Sequence, residues 1–227
     1  MTLDKIHSYL NFIINKEQGK WYTPPELDDL LYVGGSIPVF NTFYQMYVKT
    51  QSVHDALSPF RKKYVFGASD FANNVLTCPN DYIYPTNITN TIYNNALQKP
   101  IHNAVVLYKE DEWNDAINSQ VVVPTQSKPV AMIAEKQKIE FFPGGTYNGV
   151  LRYLRMPVKS VFGYTLDSRG KPVYNSGTST QLEWSDPYVP LVVIKTLSSI
   201  GINMGEEDIM NWAEGKANMS ITTPNKI

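Results

Sequence analysis

The sequence is short of the residues that most catalytic and metal-binding chemistry is built from. A single cysteine, Cys78, excludes an internal disulfide and any multi-cysteine zinc site, and it reads as a small buried hydrophobe. The three histidines, His7, His54 and His102, stand apart with no HxH or HExxH spacing, so none is assigned as a metal ligand or catalytic base. His7 is expected to be a polar surface residue beside the apolar face of a helix. Neither GxSxG nor SxxK occurs, which leaves nucleophilic serine chemistry without support. No apolar run reaches the roughly 18 residues that a membrane-spanning helix needs. The opening MTLDKIHSYL carries acid where a signal peptide carries a basic region, so the expectation is a soluble chain made and kept in the cytosol, with no membrane association. Charge is sparse and balanced, 20 basic against 21 acidic residues for a net charge of -1, which provides no field for steering nucleic acid.

What the chain does carry is aromatic area: 15 Tyr, 9 Phe and 4 Trp in 227 residues. Aromatics with few formal charges suit buried protein–protein contact, and they are also good strand residues; composition leaves both uses open.

Along the chain the periodicity changes twice. Leu3, Ile6, Leu10, Ile13 and Ile14 fall on one helical face that Gly19 ends. Thr23-Pro24-Pro25-Glu26 has the form of a capping box opening a second helix, which is expected to run to Gly34-Gly35. After a turn at Pro38, Phe40, Phe43, Tyr44 and Tyr47 keep helical spacing, and Ser52 can cap a short turn. From about Tyr64 short β-branched and aromatic runs replace this pattern, with candidate strands at 75–77, 101–108, 121–123, 130–134, 138–142 and 150–154 and a hairpin connection over Glu135–Lys138. Asp111–Ile117 reads as one helical turn. The loops around 67–74 and 86–100 are expected to order only against neighbouring subunits. Helical spacing returns with Val189, Val192, Val193, Thr196, Leu197 and Ile200, and Glu206-Glu207-Asp208 opens a last helix.

The expected fold is α+β: a helical base made by the N- and C-terminal helices, with an inserted antiparallel β sandwich or barrel-like region. The boundaries are 1–63 for the N-terminal helices, 64–186 for the β-rich insertion, 187–218 for C-terminal helices packing on the N-terminal segment, and 219–227 for a mobile tail. No catalytic, cofactor-binding or metal-binding residues are assigned. Gly144–Gly149 lacks the Lys-Ser/Thr of a phosphate loop and reads as a turn between strands, and Glu110, Asp111 and Glu112 lack calcium-loop spacing and read as a solvated cluster. Arg61, Lys62 and Lys63 next to Tyr64, with Arg152 and Arg155 beside Tyr153, read as solvated edges or as weak contacts to passing phosphates.

Several short motifs resemble one known group of proteins. Asn11–Gly19 followed by Thr23-Pro24, Leu57-Ser58-Pro59-Phe60, Asp111-Glu112-Trp113, Val123-Pro124-Thr125, Leu151–Pro157, Pro172-Val173-Tyr174-Asn175 and Ser179–Trp184 are together similar to the ring or head–tail connector structural proteins of crAss-like and related podovirus-like phages of Bacteroidetes. Residues 64–100 and Asn114-Asp115-Ala116 depart from that pattern. The resemblance implies a non-enzymatic virion protein at the head–tail junction, assembled in the host cytoplasm as a homo-oligomeric ring of about twelve copies by heterologous contacts. It implies the portal protein and other ring or tail proteins as partners, extension of the DNA channel, no cofactor, and at most non-specific contact with packaged DNA. On this reading Tyr44, Tyr47 and Trp212 are candidate subunit or portal contacts, and Arg61, Lys62 and Lys63 candidate channel or phosphate contacts. The alternative is a carbohydrate or receptor-binding module of the phage tail, with Tyr147, Tyr153, Tyr164 and Trp184 as stacking platforms. An enzyme such as a cell-wall hydrolase lacks a recognisable pair of carboxylates.

Overall fold

The computed structural model describes residues 1–47 and 51–202. In chain order the elements begin with α1 (Leu3–Gln18), α2 (Pro24–Asp29), a π-helical stretch (Leu30–Ser36), α3 (Ile37–Gln45) and α4 (Gln51–Ala56). Strands follow: β1 (Arg61–Phe66), β2 (Phe71–Ala72), β3 (Val75–Thr77), β4 (Tyr84–Asn94), β5 (Lys99–Ala104) and β6 (Val106–Tyr108). After α5 (Glu110–Ile117) come β7 (Val130–Glu135), β8 (Lys138–Phe142), β9 (Gly149–Leu154), β10 (Tyr164–Leu166), β11 (Pro172–Tyr174) and α6 (Val189–Ser199). The fold is α+β, and its sheets do not close into a barrel. The expected helix from Glu206, Trp212 and the tail lie outside the described residues. Among the described residues no helix is long and apolar enough to cross a membrane.

Contacts divide the chain into two units, Met1–Pro59 with Met156 onward, and Phe60–Arg155. The β-rich insertion expected over 64–186 therefore ends early, and residues 156–186 cluster with the helices. Side chains explain this: Phe162 donates its N–H to Asp28 at 2.9 Å and stacks on His7, while Trp184 is buried with its ring 6.0 Å from that of Phe43.

In the first unit α1 buries the apolar face read from the sequence, and Gly19 ends it in the left-handed conformation at φ 62°, where glycine carries no Cβ penalty. Glu26 accepts hydrogen bonds from Thr23 N–H at 2.7 Å and from its hydroxyl at 2.8 Å, and these bonds hold the Glu26 carboxyl below its ordinary range. The helix does not stop at Gly34-Gly35 as expected. It widens into the π-helical stretch, where Ile37 N–H reaches back five residues to Tyr32 O, and continues as α3. Pro38 has no N–H for the ladder, and a wider turn accommodates it. The two glycines serve packing: a Cβ on Gly35 would stand 2.8 Å from Val192 O and 2.9 Å from Val192 Cγ1 on α6. α6 lies on this stretch and on α1 and α3, burying Val189, Val192, Val193, Thr196 and Leu197.

The second unit has a four-stranded antiparallel sheet in the order β1-β9-β4-β5 and a five-stranded sheet in the order β2-β3-β8-β7-β6. β6 and β7 are parallel, joined by a crossover through α5, while β7 and β8 form a hairpin. Phe66, Ile88, Leu151 and Tyr153 from the first sheet and Leu76, Ala131, Ile139 and Phe141 from the second fill one core. Two expectations change here. Residues 86–100 pair as β4 and β5 within the chain, and 67–74 hold a short 3₁₀ turn and β2. Val121–Val123 is an exposed irregular loop in place of a strand.

Candidate functional site

In the first unit the helical face bearing Asp4, His7 and Asn11 borders a cavity of about 590 Å³, closed on other sides by Trp21, Phe162 and Tyr174. His7 is buried, contrary to the surface position expected: it lies one helical turn from both Leu3 and Leu10 and so falls on the apolar stripe. Its Nε2 is 3.0 Å from Asp28 Oδ1, also buried, and its ring stacks on Phe162 at 4.5 Å. Because the other carboxylate oxygen of Asp28 accepts the Phe162 N–H, this constellation fastens residues 156–186 to α1 and α2 and is structural in character. At the cavity mouth the aromatics face water: Phe12 is 66% and Trp21 69% exposed, and Lys20 Nζ sits 4.3 Å above the Tyr22 ring. The cavity lining sets these rings beside the polar side chains of Asp4, His7, Asn11 and Lys171.

The second unit carries the cationic candidates. Arg61, Lys62 and Lys63 lie on β1, an edge strand, and alternate between the sheet's two faces. Lys62 shares the face of buried Tyr153 and is committed to Asp81 at 2.7 Å; Tyr153 donates its hydroxyl to the same carboxylate at 2.7 Å. The Lys62 bond, with help from Tyr153, holds the Asp81 carboxyl below its ordinary value, and burial with the Asp81 bond pushes the Tyr153 phenol well up. Arg61 and Lys63 project from the opposite, outer face, where Lys63 pairs directly with Arg152 of β9. Both are exposed. Like charges directly opposite repel, so this outer face favours an external anion.

The remaining candidates are scattered. Tyr44 and Tyr47 are half-buried on and just after α3, the Tyr47 ring lying 4.3 Å from that of His54; Trp212 is outside the described residues. Of the four proposed sugar platforms, Tyr147, Tyr153 and Trp184 are buried and only Tyr164 is exposed, so they do not form a stacking row. Trp184 and Tyr164 also belong to the first unit, away from the sheet that was to carry them. Gly144–Gly149 links β8 to β9, with Gly145 N–H donating to Asn74 Oδ1 at 2.7 Å. Glu110, Asp111 and Glu112 are exposed on the first turn of α5, where they complement the helix dipole. Among the described residues no three His, Cys, Asp or Glu side chains come together in a way that could hold a metal.

Local pattern did not reveal the cavity, because Trp21 and Phe12 look like ordinary core residues until their exposure is known. Neither did it single out the Lys63–Arg152 pair, which depends on the register of strands far apart in sequence. No family model matches this chain, and no curated protein is significantly similar to it.

Proposed function

We propose that this chain is a non-enzymatic structural subunit that works by assembly, forming a ring at the head–tail connector of a tailed phage. The ring extends the DNA channel from the portal protein and offers tail components a docking surface. The observation that carries this reading is the presence of separate apolar patches facing water on the two units. Phe12 and Trp21 stand out on one, and Val121, Val122 and Val123 on the other, 94%, 71% and 63% exposed. A ring closes by heterologous contacts, which require two different patches on every subunit, and interface centres are apolar and aromatic. The motif resemblance supplies the virion context, and the outer cations Arg61, Lys63 and Arg152 suit weak contact with phosphate in a channel.

The test is the solution mass of the purified chain, measured by light scattering alone and with the portal protein of the same phage. A ring, or a monomer that joins the portal in many copies, is expected. A monomer at every concentration that also ignores the portal overturns the reading.

A further inference from the structure

We propose that the cavity beside α1 is a binding site for an uncharged sugar, one pyranose unit of a glycan stacked on Trp21 and hydrogen-bonded to Asp4 and Asn11. This goes beyond the assembly reading, which uses Phe12 and Trp21 only as an outward apolar patch. All the lining belongs to the first unit, and its volume of about 590 Å³ falls within the range of small-molecule sites. Phe12 and Trp21 stand open to water at the mouth. Asn11 takes the Tyr22 N–H on its carbonyl oxygen at 3.4 Å, which leaves its Nδ2 donors for a ligand. The side chains of Asp4, Ser8 and Lys171 also line the cavity and have no hydrogen-bond partner among the described residues. His7 adds an independent observation. It is only 4% exposed, it lines the cavity, and its Nε2 lies 3.0 Å from Asp28 Oδ1, while its Nδ1 has no partner among the described residues. A nearly buried ring nitrogen left in this way favours a ligand that brings a hydroxyl.

The mixture of groups decides the ligand class. Asp4 and Lys171 carry opposite charges, so a net charge of either sign on the ligand meets one of them unfavourably. A purely apolar group would strip water from Asp4 and His7 and return no hydrogen bond. A proline-rich segment offers carbonyls but no N–H at its prolines, which leaves the Asp4 carboxylate without a donor. A hydroxyl both donates and accepts, so neighbouring hydroxyls on one sugar serve the Asp4 carboxylate and the Asn11 amide together. The C–H face of a pyranose carries the partial positive charge that suits the negative face of an indole. A neutral sugar therefore uses the rings and the polar groups at once.

The experiment titrates the methyl glycosides of glucose, galactose, mannose and N-acetylglucosamine against the full chain, followed by saturation-transfer NMR. The assembly reading covers Trp21 in a subunit contact, so the chain used carries Val121→Lys with Val123→Lys, which spoils the second patch and leaves the cavity open. At least one glycoside is expected to bind in the millimolar range. Trp21→Ala and Asp4→Ala are each expected to weaken it by roughly tenfold or more, and Trp21→Phe to recover part of the loss. Unfolding temperatures are expected to stay within a few degrees, because Trp21 is exposed and Asp4 half-buried. Failure of all four glycosides overturns the proposal and leaves the assembly reading, judged by light scattering of the unaltered chain, untouched. Binding that survives Trp21→Ala also overturns it, since the sugar then sits elsewhere. So does a proline decamer that binds more tightly than any glycoside and is lost with Trp21→Ala, which assigns the cleft to a peptide. A Trp21→Ala chain that melts far below the parent overturns it too, because the ring is then covered within the chain itself.

Discussion

At the scale of single residues, His7 and Asp28 show how a polar pair can hold a fold. Both are buried, and Asp28 serves His7 through one oxygen and the Phe162 N–H through the other. Asp28→Ala leaves the buried Phe162 N–H without its acceptor and removes the carboxylate beside His7, and is expected to cost about 1–3 kcal/mol, read as a lower urea midpoint. Asn is expected to recover part of this, because its carbonyl can still accept from Phe162. The sequence placed His7 beside the apolar stripe but gave no sign of its partner, which lies on another helix. Cys78 was legible as a buried small hydrophobe, and the consequence is chemical: burial pushes its thiol up to about 12. A folded-state pKa above that of the unfolded thiol means its contribution to stability is complete below about pH 8.5 and is lost as pH rises from there toward 12. Burial pushes the phenols of Tyr64, Tyr147, Tyr153 and Tyr188 up as well, adding loss of the same sign above about pH 10. Urea titrations are expected to show the midpoint falling between pH 8 and 11, with the earliest part of the fall absent in Cys78→Ala. Asp81 acts in reverse, its contribution being present at neutral pH and lost below about pH 4.

At the scale of elements, what could be read locally was what local forces decide. α1, the capping box at Thr23 and the β7–β8 hairpin around Glu135–Lys138 each follow from periodicity and turn residues within a few positions. β4 was not legible, because Asn87, Asn90 and Asn94 are poor strand formers; pairing with β9 on one side and β5 on the other decides its conformation. The reverse holds at Val121–Val123, where strand-forming residues pair with no strand among the described residues. Gly34-Gly35 looked like a helix stop for the same reason: the surface of α6 that needs them is more than 150 residues away in sequence. Gly35→Ala tests this. Alanine favours a helix by about 1 kcal/mol over glycine, but the new Cβ would meet the Val192 carbonyl at 2.8 Å, and backbone cannot rotate aside. A net loss of about 1–3 kcal/mol is expected, as for other overpacked sites. Gly149→Ala should be at least as damaging in the second unit, since its Cβ would run into the Thr89 carbonyl and 2.7 Å from Phe66 Cζ. A substitution that stabilises at either site would show that the close approach is not a constraint.

At the scale of the whole molecule, a β-rich segment set between helical ends was evident from the change of periodicity near residue 60, but its far boundary was not. Residues 156–186 include β10 and β11 and have the same short strands and turns as the insertion, so local pattern cannot separate them; their contacts with α1, α2 and α3 do. The structural boundary makes a prediction that the earlier one would not. Residues 60–155 contain every member of the aromatic and aliphatic core built on Phe66, Ile88, Phe141 and Leu151. Their two ends are tied, because Arg155 N–H donates to Phe60 O at 3.0 Å just before β1 begins pairing with β9. A segment with its own core and adjacent ends loses little loop entropy on excision. Expressed alone, residues 60–155 are expected to give a β-type circular dichroism spectrum and a single cooperative thermal transition. The longer piece 64–186 is expected to be less stable: it lacks Arg61 and Lys62 of β1, hence the Lys62–Asp81 ion pair, and it exposes Phe162 and Trp184 without the helices that bury them. If 64–186 melts at the higher temperature, the boundary at Arg155 is wrong, and the His7–Asp28–Phe162 contact is not what assigns the later strands to the helical unit.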